Sequence, residues 1–78
     1  MGKPSDLIER HGWCQKAMQD SAGRICLLRA VLAGVDYDIL PKTMDRLHKA
    51  VGTGLTTWND APGRTAAEVV EFLRGQGL

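Results

Sequence analysis

Trp58-Asn59-Asp60-Ala61-Pro62-Gly63-Arg64-Thr65 is the stretch of the sequence with the most specific conformational signals. Its Ala61-Pro62-Gly63-Arg64 segment fits a type II turn, because proline fixes φ at the second position and glycine readily adopts the positive φ needed at the third. Thr65-Ala66-Ala67-Glu68 then matches a capping box, in which the threonine hydroxyl and the glutamate carboxylate each accept from the other residue's amide. The sequence therefore predicts a turn built by Pro62 and Gly63 that leads into a helix capped by Thr65 and Glu68.

The other side chains of this stretch allow two interpretations. In a structural one, Trp58 packs on the core, Asn59 or Asp60 bonds nearby backbone amides as an Asx turn, and Arg64 pairs with Asp60. In a functional one, Trp58 and Trp13 are partly exposed and form, with Asp60 and Arg64, an aromatic patch with a polar rim of the kind that anchors protein interfaces. Trp13, Trp58, Asp60 and Arg64 are therefore the candidate binding residues.

Hydrophobic periodicity predicts three further helices upstream. Residues 4–11 form a short helix that packs as a lid, and its acidic and basic residues suit the helix dipole. Residues 25–33 are apolar nearly all round, which is typical of a helix at the buried centre of a bundle. Residues 41–51 form a third helix, and one apolar stripe runs along it, starting at the residue before it: Leu40, Met44, Leu47 and Val51.

Between the first two helices the pattern is ambiguous. Residues 13–17 and 24–26 form a short β-hairpin if the chain turns at residues 20–23, and this register sets Cys14 opposite Cys26. The alternative continues a helix through residues 15–19, which are good helix formers. Farther along, Leu55-Thr56-Thr57-Trp58 is predicted to be briefly extended.

These elements predict a mainly α fold: a single small domain over residues 1–78, with three to four helices and at most a short N-terminal β-hairpin. We expect the helices at 41–51 and 65–74 to pack on the one at 25–33. Residues 1–3 and 75–78 are expected to fray. A chain of 78 residues is too short for two cores that fold unaided.

Charge and hydropathy exclude several classes of function. The net charge is +1 and basic residues form no stripe, so nucleic acid is an unlikely partner, because such binding draws its affinity from clustered cations. No apolar run approaches the roughly 18 residues of a membrane span. The N-terminal residues lead into a charged helix rather than a signal-peptide core, which predicts a cytoplasmic location.

The residue types needed for catalysis or metal binding are present but lack a recognised spacing. His11, Cys14, Cys26 and His48 are chemically suitable zinc ligands, yet their spacing matches no standard zinc motif. Cys14 lacks the signature of an activated nucleophile. We therefore expect no enzyme activity, no metal and no cofactor.

Several fixed-spacing residues resemble a known family. The pattern is Gly12-Trp13-x-Gln15, then Cys26-Leu27-x-x-Ala30, then Trp58-Asn59-Asp60 and Gly63-Arg64-Thr65-Ala66-x-Glu68-Val69. It is similar to that of an uncharacterised family of small proteins from actinobacteria and their phages. The resemblance implies a compact, mainly helical fold and a phage or actinobacterial origin, and it assigns no activity or cofactor.

Together these observations predict a non-enzymatic protein interaction module, a phage-related or actinobacterial accessory protein that binds a host protein or itself. One alternative is a small nucleic-acid-binding regulator that uses Lys42, Arg46 and Lys49 on the outer face of the helix at 41–51. The other is a zinc or small-ligand binding domain.

Overall fold

The computed structural model describes residues 2–78, in which five helices are joined by short connections and one longer loop. The helices are α1 (Pro4–His11), α2 (Leu27–Gly34), α3 (Leu40–Val51), α4 (Leu55–Asn59) and α5 (Ala66–Gly75). The mainly helical single small domain predicted from the sequence is confirmed. None of the helices in residues 2–78 combines the length and the apolar character needed to cross a bilayer.

The core draws on every helix. Its buried residues are Ile8, Ile25, Leu27, Ala30, Val31, Leu47, Leu55, Val69, Val70 and Leu73. The helix α1, predicted to be a peripheral lid, packs against both α2 and α5, while α4 packs against α2 and α3. Helix α1 therefore helps to close the core, and its packing against α5 forms the surface described below.

Helix α2 buries one face only. Leu27, Ala30 and Val31 have no exposed surface, whereas Leu32 is 40% exposed. The prediction that this helix is buried nearly all round is therefore wrong. The physical reason is size, because a chain this short cannot surround a helix on every side.

The residues between α1 and α2 do not form the predicted β-hairpin. Residues 20–23 do turn, with the Gly23 amide donating to the Asp20 carbonyl at 3.0 Å. The flanking segments, however, meet only in isolated bridges from Trp13 and from Gln19 to Ile25. Cys14 is not paired with Cys26, and both are free cysteines. The loop turns where the sequence predicts, but its backbone hydrogen bonds do not form the regular ladder of a β-hairpin.

Helix α4 occupies residues for which the sequence predicts an extended segment, so that prediction is wrong. Leu55 and Asn59 are both buried, at 2% and 0% exposure. Residues four apart lie on the same side of a helix. A helical turn therefore buries Leu55 in the core and places Asn59 beside the polar groups that it bonds. The free energy gained by burying both residues outweighs the preference of Thr56 and Thr57 for an extended backbone.

The C-terminal residues, predicted to fray, make hydrogen bonds to α1. The Leu78 carbonyl accepts from the Ser5 amide at 3.2 Å and from the Ser5 hydroxyl at 2.8 Å. The fraying predicted for residues 1–3 falls partly on Met1, which lies outside the described residues.

Two helical glycines give a matched test of how closely α1 and α2 pack. A Cβ at Gly34 would lie 2.9 Å from the Cδ and the backbone nitrogen of Pro4, whereas a Cβ at Gly75 would meet nothing within 4 Å. Gly34→Ala is expected to lower the free energy of unfolding by about 1–3 kcal/mol through overpacking. Gly75→Ala is expected to leave it unchanged or raise it by about 0.4–1 kcal/mol, because alanine restricts the unfolded chain. Urea unfolding of both variants measures the difference, and equal effects would show that Pro4 moves aside freely.

Candidate functional site

The turn and the cap predicted within residues 61–68 are both present. The Arg64 amide donates to the Ala61 carbonyl at 3.1 Å, and Gly63 has a φ of 81°. The Thr65 hydroxyl accepts from the Glu68 amide at 3.2 Å, and the Glu68 carboxylate accepts from the Thr65 amide at 3.2 Å. Pro62 and Gly63 thus direct the chain into α5, and the capping box fixes where α5 begins.

Asn59 joins three distant parts of the chain. Its side-chain oxygen accepts from the Trp13 indole N–H at 2.6 Å and from the Leu27 amide at 3.0 Å. Its amide nitrogen donates to the Cys14 carbonyl at 3.1 Å and to an Asp60 carboxylate oxygen at 3.0 Å. Asn59 has no exposed surface, so these four bonds satisfy the whole of its amide group.

The predicted local Asx turn is therefore wrong. Three of the four Asn59 bonds reach residues 32 to 46 positions away, and the fourth goes to the Asp60 side chain, not to a nearby backbone amide. Asp60 accepts from the Lys16 amide at 2.8 Å, and this bond, with that from Asn59, lowers the pKa of the Asp60 carboxyl. Lys16 has a φ of 64°, so the Asp60 bond also holds a backbone conformation that a lysine rarely adopts.

Arg64 contacts Trp58 rather than Asp60, so the predicted Arg64–Asp60 pair is wrong. Its Nε donates to the Trp58 carbonyl at 3.0 Å, and its guanidinium carbon lies 3.9 Å from the centroid of the Trp58 ring. The guanidinium also pairs with Glu68 at 3.1 Å. The Trp58 ring packs on Phe72, with centroids 4.9 Å apart. Trp58 is thus half-buried between the turn and α5.

A groove of 530 Å³ runs between α1 and α5, and we call it the α1–α5 groove. Its apolar lining comes from Ile8, Trp13, Ala66, Ala67 and Val70, with Gly12 at the end of α1. Ile8 and Val70 are buried and form the floor. The volume lies within the range of about 300–1,000 Å³ that ligand-binding pockets show.

Three charged residues line the groove: Glu9, Glu71 and Arg74. Arg74 forms an ion pair with Glu9 that links α5 to α1. The Glu71 side chain forms no ion pair or hydrogen bond within the part of the chain that the structure describes. The groove therefore has an apolar floor and a rim with two carboxylates and one cation.

The structure separates the candidate binding residues. Trp13 lines the groove, on the side of α5 that carries Ala67 and Arg74, whereas Trp58 packs on Phe72. At 100° per residue these two sides of α5 lie on opposite flanks. Trp13 and Trp58 do not share one patch. No local sequence pattern indicates the groove, because its walls lie far apart in the chain. The role of these residues in binding stays a prediction.

The four candidate zinc ligands do not come together. The Cys14 thiol donates to the carbonyls of Ala17 and Arg24, both at 3.3 Å, and its burial raises the pKa of the thiol. The Cys26 sulfur accepts from the Arg29 amide. Within residues 2–78, no three side chains of His, Cys, Asp or Glu are arranged to hold a metal ion.

The cations on the outer face of α3 are partly engaged within the protein. Lys49 pairs with Asp45 at 3.1 Å, and Arg46 donates to the Gln76 carbonyl at 2.9 Å. Such contacts reduce the charge available to phosphates. The geometry of α3 thus adds nothing in favour of the nucleic-acid alternative.

Comparison with family models gives a match over residues 3–75, from the residue before α1 to the last residue of α5, with a family of unknown function, DUF6197. The chain belongs to this family. Comparison with curated proteins and with solved structures gave no significant match. The DUF6197 match includes both walls of the α1–α5 groove, together with Asn59 and its bonding partners.

Proposed function

We propose that this protein is a non-enzymatic protein interaction module whose binding surface is the α1–α5 groove. The observation that supports the proposal best is the combination of a half-buried tryptophan with an apolar floor and a charged rim. Trp13 lies at one end, and tryptophan is enriched among the residues that dominate the energy of protein interfaces. Small residues at Ala66 and Ala67 let a partner approach the floor closely.

The lining residues favour binding over catalysis. None of the described lining residues is a serine, cysteine, histidine or lysine. Glu9 is paired with Arg74, and the lining holds no nucleophilic side chain that Glu9 or Glu71 could activate. The proposal therefore assigns these groups to recognition.

The partner is another protein or a second copy of this chain. An accessory role in an actinobacterium or its phage belongs to the same proposal and is supported by the sequence resemblance alone. A cytoplasmic location, predicted from the sequence on other grounds, belongs to it as well.

Blocking the groove tests the proposal. Ala67→Arg places a long side chain over the floor, while Ala50→Arg makes the same change at an exposed position of α3 outside the groove. Arginine is a good helix former, so both variants are expected to fold. We expect wild type and Ala50→Arg to cross-link to the same proteins in an actinobacterial lysate, or to sediment as a dimer, and Ala67→Arg to do neither. Equal retention by all three, or a free monomer with no cross-linked partner, contradicts the proposal.

A further inference from the structure

We infer that the ligand of the α1–α5 groove is an amphipathic helix of a partner protein that brings a lysine or arginine to Glu71. This inference rests on the proposed function and specifies the class of partner. Two features carry it, the helical walls of the groove and the charge at its rim.

The walls favour a helical ligand. Both walls are helices, so the groove offers no strand edge with which an extended peptide could pair. Only the N–H groups at the start of α5 and the C=O groups at the end of α1 lack partners within the helices, so most polar groups of an extended peptide would lose hydrogen bonds on entering the groove. A helix satisfies its backbone internally and presents only side chains, which is the usual way a groove between helices is occupied.

The floor suits the apolar side of such a helix. Ile8 and Val70 are buried beneath the groove, and Ala66 and Ala67 are small and exposed along one wall. Apolar side chains spaced three and four residues apart on the ligand would therefore reach the floor, with Trp13 beside them.

The rim selects the charge of the ligand. Glu9 and Arg74 neutralise each other, which leaves the unpaired carboxylate of Glu71. Arg24, whose side chain lies against Gly12, is bound to Asp20 at 2.6 Å. A net negative rim favours a basic partner, because complementary charges steer association and disfavour ligands of the same sign.

A selection from a library of random helical peptides tests the inference without a natural partner. Peptides are selected on the wild-type protein and counter-selected on Ala67→Arg, so that only groove-dependent binders remain. The same selection is run on Glu71→Arg, and on Asp36→Arg as a charge reversal at an exposed site outside the groove.

We expect wild-type binders to be amphipathic and enriched in Lys and Arg over Asp and Glu by about threefold, the effect of an exposed ion pair of roughly 0.6 kcal/mol. On Glu71→Arg the bias should reverse, and on Asp36→Arg it should persist. A bias that is absent, acidic or unchanged on Glu71→Arg overturns the inference and leaves the groove as a binding surface. Recovery of no groove-dependent helical peptide also overturns it. If the wild-type protein cross-links to no partner and forms no dimer while basic peptides are still selected, the result counts against the proposed function and not against this inference.

Discussion

Asn59→Asp is expected to lower the free energy of unfolding by about 3–5 kcal/mol at neutral pH, the cost of leaving a buried charge uncompensated. The variant keeps acceptors for Trp13 and Leu27 but loses the donor to the Cys14 carbonyl. It also places a second carboxylate where the Asn59 amide now meets Asp60 at 3.0 Å. A domain of this size has a total stability of roughly 4–12 kcal/mol, so a large fraction of the molecules should unfold under mild denaturant.

The stability that Asn59→Asp loses should depend on pH. Burial and the Asp60 carboxylate both raise the pKa of the introduced carboxyl in the folded state. Because the pKa of this carboxyl is higher in the folded than in the unfolded state, the stability of the variant is greatest at pH values below the unfolded pKa. That stability is lost as the pH rises through the folded pKa. The deficit relative to wild type should therefore be small in mild acid and grow toward neutral pH. Urea unfolding followed by circular dichroism from pH 4 to pH 7.5 measures it.

Asn59→Ala is the control for charge. It leaves the Trp13 and Leu27 N–H groups without their acceptor, at a cost of about 1–3 kcal/mol for each buried group that stays unsatisfied, and its deficit should not grow toward neutral pH. If the deficits of Asn59→Asp and Asn59→Ala follow the same pH dependence, the contact between residue 59 and Asp60 is not the source of the loss.

The features predicted from the sequence are the ones that neighbouring residues specify. Pro62 with Gly63 determines the turn, and Thr65 with Glu68 determines the start of α5, because each device acts over three or four residues. Helix α1 has the predicted bounds for the same reason, since proline begins it and Gly12 follows its last residue.

The features that depend on distant residues were not predicted. Asn59 bonds Trp13 from 46 positions away, so its sequence neighbours do not reveal its role. The indole N–H of a buried tryptophan usually has a hydrogen-bond acceptor, so Trp13 itself was the only hint in the sequence that a polar side chain such as Asn59 packs against it. The α1–α5 groove likewise depends on packing between the first and last helices, which no local pattern encodes.

Helix α2 shows the same limit in one element, because its composition does not say which face is buried. Leu27 and Leu32 carry the same side chain in the same helix, yet Leu27 has no exposed surface and Leu32 is 40% exposed. Leucine and alanine are both good helix formers, so replacing either residue with alanine changes the intrinsic stability of the helix little.

Leu27→Ala is expected to lower the free energy of unfolding by about 2–5 kcal/mol, because it removes buried surface and leaves a cavity in the core. Leu32→Ala is expected to cost less than about 1 kcal/mol, since water already reaches much of that side chain. Urea unfolding of the two variants beside wild type measures both values. Equally large losses of stability in Leu27→Ala and Leu32→Ala would mean that α2 is enclosed on all sides, as its composition predicted. A difference of 2 kcal/mol or more would mean that the face of α2 carrying Leu27 packs on the core while the face carrying Leu32 is open to solvent.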